Sequence, residues 1–233
     1  DNLCEARAEL AVARVQTGVS RRVCYKDGTA QMYGDAHRPD FLKMEGRDGG
    51  PMQLLYVYSV QNELTGIVAN VPCTAQCDEN ALYMTADYWG VVRERLAPEL
   101  GRNVKILPLC RSAGDLSPHH IVDRVPMEMA EGCYHGRKCS LFMGELVADA
   151  ILHHQKKILI RYEGRVRHAQ GMRKIDFPVW QVTEAEYKWA LEYLANRDNY
   201  TETGWPRSLF DNANAHTRKQ RYESGDKLYP SRI

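Results

Sequence analysis

Apolar and polar positions divide this chain into short blocks with different periods. Residues 8–16 (AELAVARVQ) partly alternate and predict a strand. Met52 to Val60 (MQLLYVYSV) is a run of Leu, Val and Tyr, and Thr65 to Val71 (TGIVANV) is a second. The turn formers Gln61-Asn62-Glu63-Leu64 between them predict a hairpin. In residues 79–98 the period changes. Leu82, Ala86, Trp89, Val92 and Leu96 recur at three-to-four spacing, which predicts a helix with one apolar face, stopped near Gly101. Asn103 to Leu109 (NVKILPL) reads as a short strand. Residues 136–156 read as a helix, with Leu141, Leu146, Val147, Ala150 and Ile151 inward. Lys157 to His168 reads as a strand. Thr183 with Glu186 forms a capping-box pattern that opens a helix over 183–197, and a polar helix is expected over 207–225. Residues 25–52 are rich in Gly, Asp, Arg and Pro and read as one long loop, a feature that is uncommon in compact domains and often functional.

Strands and helices alternate in part. The expected fold class is α/β or α+β, a mixed sheet with flanking helices, in a single domain spanning residues 1–233. With 44% hydrophobic residues the chain has enough apolar material to offset chain entropy, which argues against disorder. The net charge of +1 excludes a whole-molecule basic field, so no nucleic-acid partner is expected. No apolar run approaches the roughly 18–20 residues of a membrane span. A small-molecule partner is expected, and the oligomeric state is left open.

The seven cysteines cannot all pair within the chain. Cys73 and Cys77 stand at C-x3-C spacing with no second pair at finger spacing, so buried thiols are the first expectation. Asn199-Tyr200-Thr201 is a glycosylation sequon, a triplet common by chance.

Candidate chemistry concentrates where the strand at 103–109 ends, because ligands of α/β sheets commonly bind beyond strand ends. The loop reads Arg111-Ser112-Ala113-Gly114-Asp115-Leu116-Ser117-Pro118-His119-His120. Gly114 permits close backbone approach, and Asp115 offers a base or acceptor. Ser117 offers a nucleophile, held extended by Pro118, and His119 and His120 offer bases or ligands. A plain turn would use the same residue types. The end of the preceding strand carries Asn70, Cys73 and Gln76, which would face Ser117 if the two strands are neighbours. Cys73 is then a thiolate candidate or a buried core thiol. The early loop gathers Asp35, His37, Arg38 and Asp40, a set suited to a polar ligand or a cation, or to a solvated surface. His153-His154 near a helix end suits the helix dipole.

The stretch Val68 to His120 resembles the middle of the neutral ceramidase family, closest to its uncharacterised bacterial branch. The resemblance rests on Gly114-Asp115-Leu116-Ser117-Pro118, on Thr85-Ala86-Asp87-Tyr88-Trp89, and on Arg21-Arg22-Val23 with Asp27-Gly28-Thr29-Ala30 through Tyr33-Gly34-Asp35. It implies a zinc-dependent amidohydrolase with Ser117 at the catalytic centre. Zinc would lower the pKa of a bound water and polarise the carbonyl. Relatives are often exported, which implies a periplasmic or extracellular setting. The chain departs from the family at the metal. It has no early His-x-His segment, and Pro72, followed by Cys73, stands where a zinc histidine is expected. The remaining family ligands would lie past the end of this sequence. Either the chain is an internal portion of the family domain, or this branch has abandoned the zinc site; the metal ligands are therefore unknown.

The combined expectation is a hydrolase of an amide or ester bond, in an N-acyl lipid or a carbohydrate derivative. Ser117, Asp115 and His119 are its catalytic candidates. Asn70, Cys73, Gln76, Gly114, Arg38 and Asp40 are its substrate-binding candidates. A metal-free enzyme using Cys73 as its nucleophile is a further reading. The alternative to catalysis is a binding or structural domain on the same scaffold.

Overall fold

The computed structural model describes residues 4–46, 49–79, 83–119, 136–157, 160–161, 169–174, 178–196 and 209–225. The chain divides into two compact units, Asp1–Arg165 and Val166–Ile233.

The first unit is built on a five-stranded sheet. Its strands are β1 (Ala6–Ala13), β6 (Met52–Ser59), β7 (Leu64–Val71), β8 (Lys105–Cys110) and β10 (Ile160–Arg161), in the order β10-β1-β6-β7-β8. The expected hairpin is present as the antiparallel pair β6–β7, with a bulge between Val57 and Tyr58. β7 and β8 run parallel. That pairing needs a crossover, and α1 (Tyr88–Leu100) supplies it. The expected helix over 79–98 begins later than its apolar spacing suggests, because Asp87 caps it. The Asp87 carboxylate accepts from the Tyr88 N–H at 2.8 Å and from the Asp78 N–H at 2.8 Å. Pro98 lies in the last turn, and the helix closes on Gly101 at φ 90°, whose N–H donates to Ala97.

One sheet face packs on α1 and on α2 (Gly136–Gln155). Ala11, Leu54, Tyr56, Ile67, Ala69 and Val71 meet Tyr88, Val92 and Leu96 of α1 and Met143, Val147 and Ile151 of α2. The Tyr56 hydroxyl donates to the Ile151 carbonyl at 2.6 Å inside this core. The opposite sheet face is apolar as well. Leu10, Leu55, Val68 and Leu107 form one register row across four strands. Leu10 and Leu107 are 45% and 55% exposed. This explains why β6 reads as a continuous apolar run rather than an alternating one.

The expected long loop at 25–52 contains short strands. β3 (Arg22–Tyr25) is the centre of a three-stranded antiparallel sheet with β4 (Ala30–Met32) and β5 (Phe41–Met44). Its strands are of three to four residues, too short for an apolar period to show. β2 (Val19–Ser20) pairs with β9 (Leu116–Ser117). Of the expected strand at 157–168, Ile160–Arg161 is a strand, Lys157 follows the end of α2 with its N–H donating to the His154 carbonyl, and the rest lies outside the described residues. His120, Cys133 and the 199–201 sequon also lie outside them.

In the second unit α3 (Glu184–Ala195) packs on α4 (Leu209–Ser224). The expected capping box is present: Thr183 Oγ accepts from the Glu186 N–H, and the Glu186 carboxylate accepts from the Thr183 N–H at 2.8 Å. Tyr187 stacks on Tyr222 with centroids 4.2 Å apart. Arg218 sits over the rings of both Trp180 and Trp189, at 4.9 and 5.0 Å.

The α1–α2 contact is tightest at Gly144. A Cβ there would collide with the Cβ of Val91 and stand 3.0 Å from the Tyr88 carbonyl oxygen. Helix propensity alone favours alanine by about 1 kcal/mol, but neither neighbour is the end of a flexible side chain. Gly144→Ala is expected to lower stability by roughly 1–2 kcal/mol through overpacking. Urea unfolding checks this, and a raised midpoint contradicts it.

Candidate functional site

The strand registers decide where the loops go. Ala13 pairs with Met52, Gln53 with Asn70, and Val71 with Cys110. The excursion over 14–51, the loop after β7 and the loop after β8 therefore all leave the sheet at one end. The expected adjacency of the two strands is found, and both carboxyl ends lie together, the position where α/β sheets bind ligands.

Ser117 stands at the meeting point of the three. It pairs with Val19 across the β2–β9 ladder and is 0% exposed. Its Oγ accepts from the Tyr33 hydroxyl at 3.2 Å and from the His119 backbone N–H at 3.1 Å. Tyr33 has φ 53°, a left-handed backbone that is uncommon for an aromatic residue. Its N–H donates to the Arg21 carbonyl at 2.7 Å, so the phenol is fixed from both ends. Arg21 in turn reaches the Gly114 carbonyl at 2.7 Å through its guanidinium and the Asp115 carbonyl at 2.9 Å through its N–H. The Gly-Asp-x-Ser-Pro loop is thus held by main-chain and side-chain bonds from the β2–β3 segment.

Asp115 is exposed. Its carboxylate lies where a Cβ on Gly46 would come within 2.8 Å, so only glycine fits beside it without a shift. His119 is 3% exposed, and its Nδ1 stands 3.5 Å from the Glu79 carboxylate. Gln76 donates to the same carboxylate at 3.0 Å. Gln76, Glu79 and His119 therefore form one polar chain linking the two loops. Glu79 was not a sequence candidate; nothing in its spacing marks it, because the partnership exists only across the parallel strand pair. Tyr33 lay inside the early loop but had no signal of its own.

The other sequence candidates take different places. Asn70 projects onto the open sheet face, where its amide donates to Gln53 at 3.1 Å. Arg38 and Asp40 pair with each other at 2.6 and 2.9 Å, and Arg38 lies 3.8 Å over the Tyr25 ring. Among the described residues no hydrogen bond or ion pair joins them to the Ser117 loop. Cys73 is buried, its thiol directed at the Thr74 carbonyl and its own carbonyl taken by the Tyr88 hydroxyl. Burial raises its thiol pKa well above the ordinary range, which favours the inert thiol over the thiolate. Cys77 is raised also, first by its hydrogen bond with Cys139 and then by burial.

Among the described residues no group of three His, Cys, Asp or Glu side chains converges to hold a metal ion. The described residues do not assemble ligands for the zinc that the motif resemblance implies. A cavity of about 510 Å³ opens at the other end of β8, among Arg93, Pro98, Arg102 and Lys105, away from this chemistry. No described helix is long and apolar enough to cross a membrane.

No family model matches the chain, and no curated protein matches it. Among solved structures it is similar to the neutral ceramidase from Pseudomonas aeruginosa. The identity is 14% and the TM-score 0.47, over 69% of this chain and 24% of that one. A ceramidase complexed with C2 gives the same values. The chain thus spans about a quarter of the length of the structures it matches.

The thiols offer two checks. Iodoacetamide at neutral pH is expected to label the exposed Cys4 and Cys110 and to spare Cys73, Cys77 and Cys139 until the chain unfolds. Rapid labelling of Cys73 in the folded state, read by peptide mass, would favour its nucleophilic reading. Folded thiols with raised pKa keep protons that the unfolded chain gives up above about pH 8.5. Stability is therefore full below that pH and declines above it. Urea midpoints between pH 7 and 10 should show the decline, shallower in Cys73→Ala.

Proposed function

We propose that this chain carries the active centre of a ceramidase-like hydrolase, acting on an amide or ester bond of an N-acyl lipid or a carbohydrate derivative. The observation that carries the reading is the Glu79–His119 pair set beside Ser117 at the joined carboxyl ends of β7 and β8. A histidine with a carboxylate on Nδ1 is oriented, and the imidazolium formed on taking a proton is stabilised. His119 is the acid/base group, able to move a proton at Nε2. Glu79 and Gln76 position it. Ser117, anchored by Tyr33 and by the His119 N–H, retains its own proton for donation and sits at the centre of the loop. Asp115 and Gly114 shape that loop through their carbonyls. No step is assigned to zinc, since the described residues do not assemble its ligands.

A second reading has its own observation. Ser117 is fully buried and accepts two hydrogen bonds, the pattern of a structural turn that clamps β2, β9 and Tyr33 together. On that reading the domain binds or scaffolds and does not catalyse.

The test is hydrolysis of N-acylsphingosine, N-acyl amino sugars and short-chain esters by the chain and by any longer protein that contains it. His119→Ala and Ser117→Ala are each expected to lower kcat by about 100-fold or more. Glu79→Gln is expected to lower it by roughly 10-fold with KM unchanged. Circular dichroism and Tm must match the parent. Folded variants with undiminished activity, or no turnover of any of these substrates, overturn the catalytic reading in favour of the structural one.

A further inference from the structure

Three buried cysteines lie just beneath the candidate site, and the chemistry proposed there uses none of them. Cys77 sits in the loop after β7, and Cys139 in the first turn of α2. The Gly136 N–H donates to the Cys77 carbonyl at 2.7 Å, which fixes the start of α2 against this loop. Cys139 follows Gly136 by three residues, on the same side of the helix. Both cysteines are 1% exposed and belong to one core cluster with Tyr88, Trp89 and Met143. The neighbouring Cys139 and burial both push the Cys77 thiol pKa up, and both cysteines are free thiols in this structure.

The neighbouring sulfurs are directed elsewhere. Cys73 Sγ is aimed at the Thr74 carbonyl at 3.4 Å. Cys110 Sγ is aimed at the Cys73 and Arg111 carbonyls at 3.5 and 3.2 Å. Cys77 and Cys139 are instead brought together in one buried cluster by the Gly136–Cys77 bond at the start of α2.

We propose that Cys77 and Cys139 are a disulfide-forming pair that ties the loop after β7 to the first turn of α2. Two S–H bonds break and one S–S bond forms. The S–S bond of a small-molecule disulfide of the glutathione type breaks, and it takes up the two electrons and two protons to leave as two thiols. Thiol–disulfide exchange needs a thiolate and access, and the folded core grants neither. The bond therefore forms while the chain folds in an oxidising setting, before the core closes. It closes a loop of about sixty residues, long enough for a large loss of unfolded-chain entropy. It also fixes the segment that presents Glu79, two residues beyond Cys77. The proposal does not depend on the hydrolase reading.

The experiment is refolding of the full chain from reduced denaturant in a reduced and oxidised glutathione buffer, followed by non-reducing peptide mapping by mass spectrometry. The expected result is a peptide pair joined through Cys77 and Cys139, lighter by two hydrogens. The oxidised protein should then melt on the order of 10 °C above the reduced one. In Cys77→Ala/Cys139→Ala that difference should disappear. A linkage of Cys77 to Cys73, Cys110 or Cys133 overturns the proposal. So does a refolded protein in which Cys77 and Cys139 both remain free to alkylation after unfolding. Because the map is read on the unsubstituted chain, the outcome stands even if the double variant does not fold.

Discussion

A parallel strand pair has both carboxyl ends at the same end of the sheet, and the rest of this structure follows from that constraint. Once β7 and β8 run parallel, the chain must cross over between them, and α1 is the crossover. The antiparallel pairs β1–β6 and β6–β7 then bring the long excursion over 14–51 to that same end. Three segments far apart in sequence converge there with no need for a long-range motif.

Polar contacts tie the convergence together. Ser117 links β2, Tyr33 and the His119 backbone, while Arg21 ties its loop through two carbonyls. Beneath it Asp87 does a similar service for the other loop, with φ 52°, holding the Asp78 N–H and capping α1 at once. Two non-glycine residues with left-handed backbone, Tyr33 and Asp87, flank the site. Such conformations cost of order 1–3 kcal/mol each and persist where surrounding bonds over-determine them. A rigid end of this kind suits precise placement of His119 and Glu79, and it equally suits a scaffold. That is why buried Ser117 supports two readings of the same geometry.

Much of the fold was legible where the elements are long. The β6–β7 hairpin, the second half of α1, α2 and the capping box at Thr183 follow local periods and turn chemistry. The helix start was missed because the apolar spacing runs on through residues 82–86, and only the bond from the Tyr88 N–H to the Asp87 carboxylate reveals the true cap. The short strands within 25–52 were read as loop because strands of three to four residues carry no period. Their pairing is set by partners elsewhere in the chain. Among site residues, Ser117, Asp115 and His119 were visible as an unusual loop at a strand end. Arg38 and Asp40 were visible as a charge cluster, but the structure pairs them with each other.

The sequence by itself determined the alternation of strands and helices, the near-neutral charge and the loop that carries Ser117. These depend on residues close to one another along the chain, where spacing and turn preference act directly. Only the tertiary structure decided that Glu79 meets His119, that Tyr33 meets Ser117 and that Cys77 and Cys139 share one buried cluster. Those pairs join segments separated by whole strands and helices. Their geometry is set by sheet register and helix packing, which no local pattern encodes.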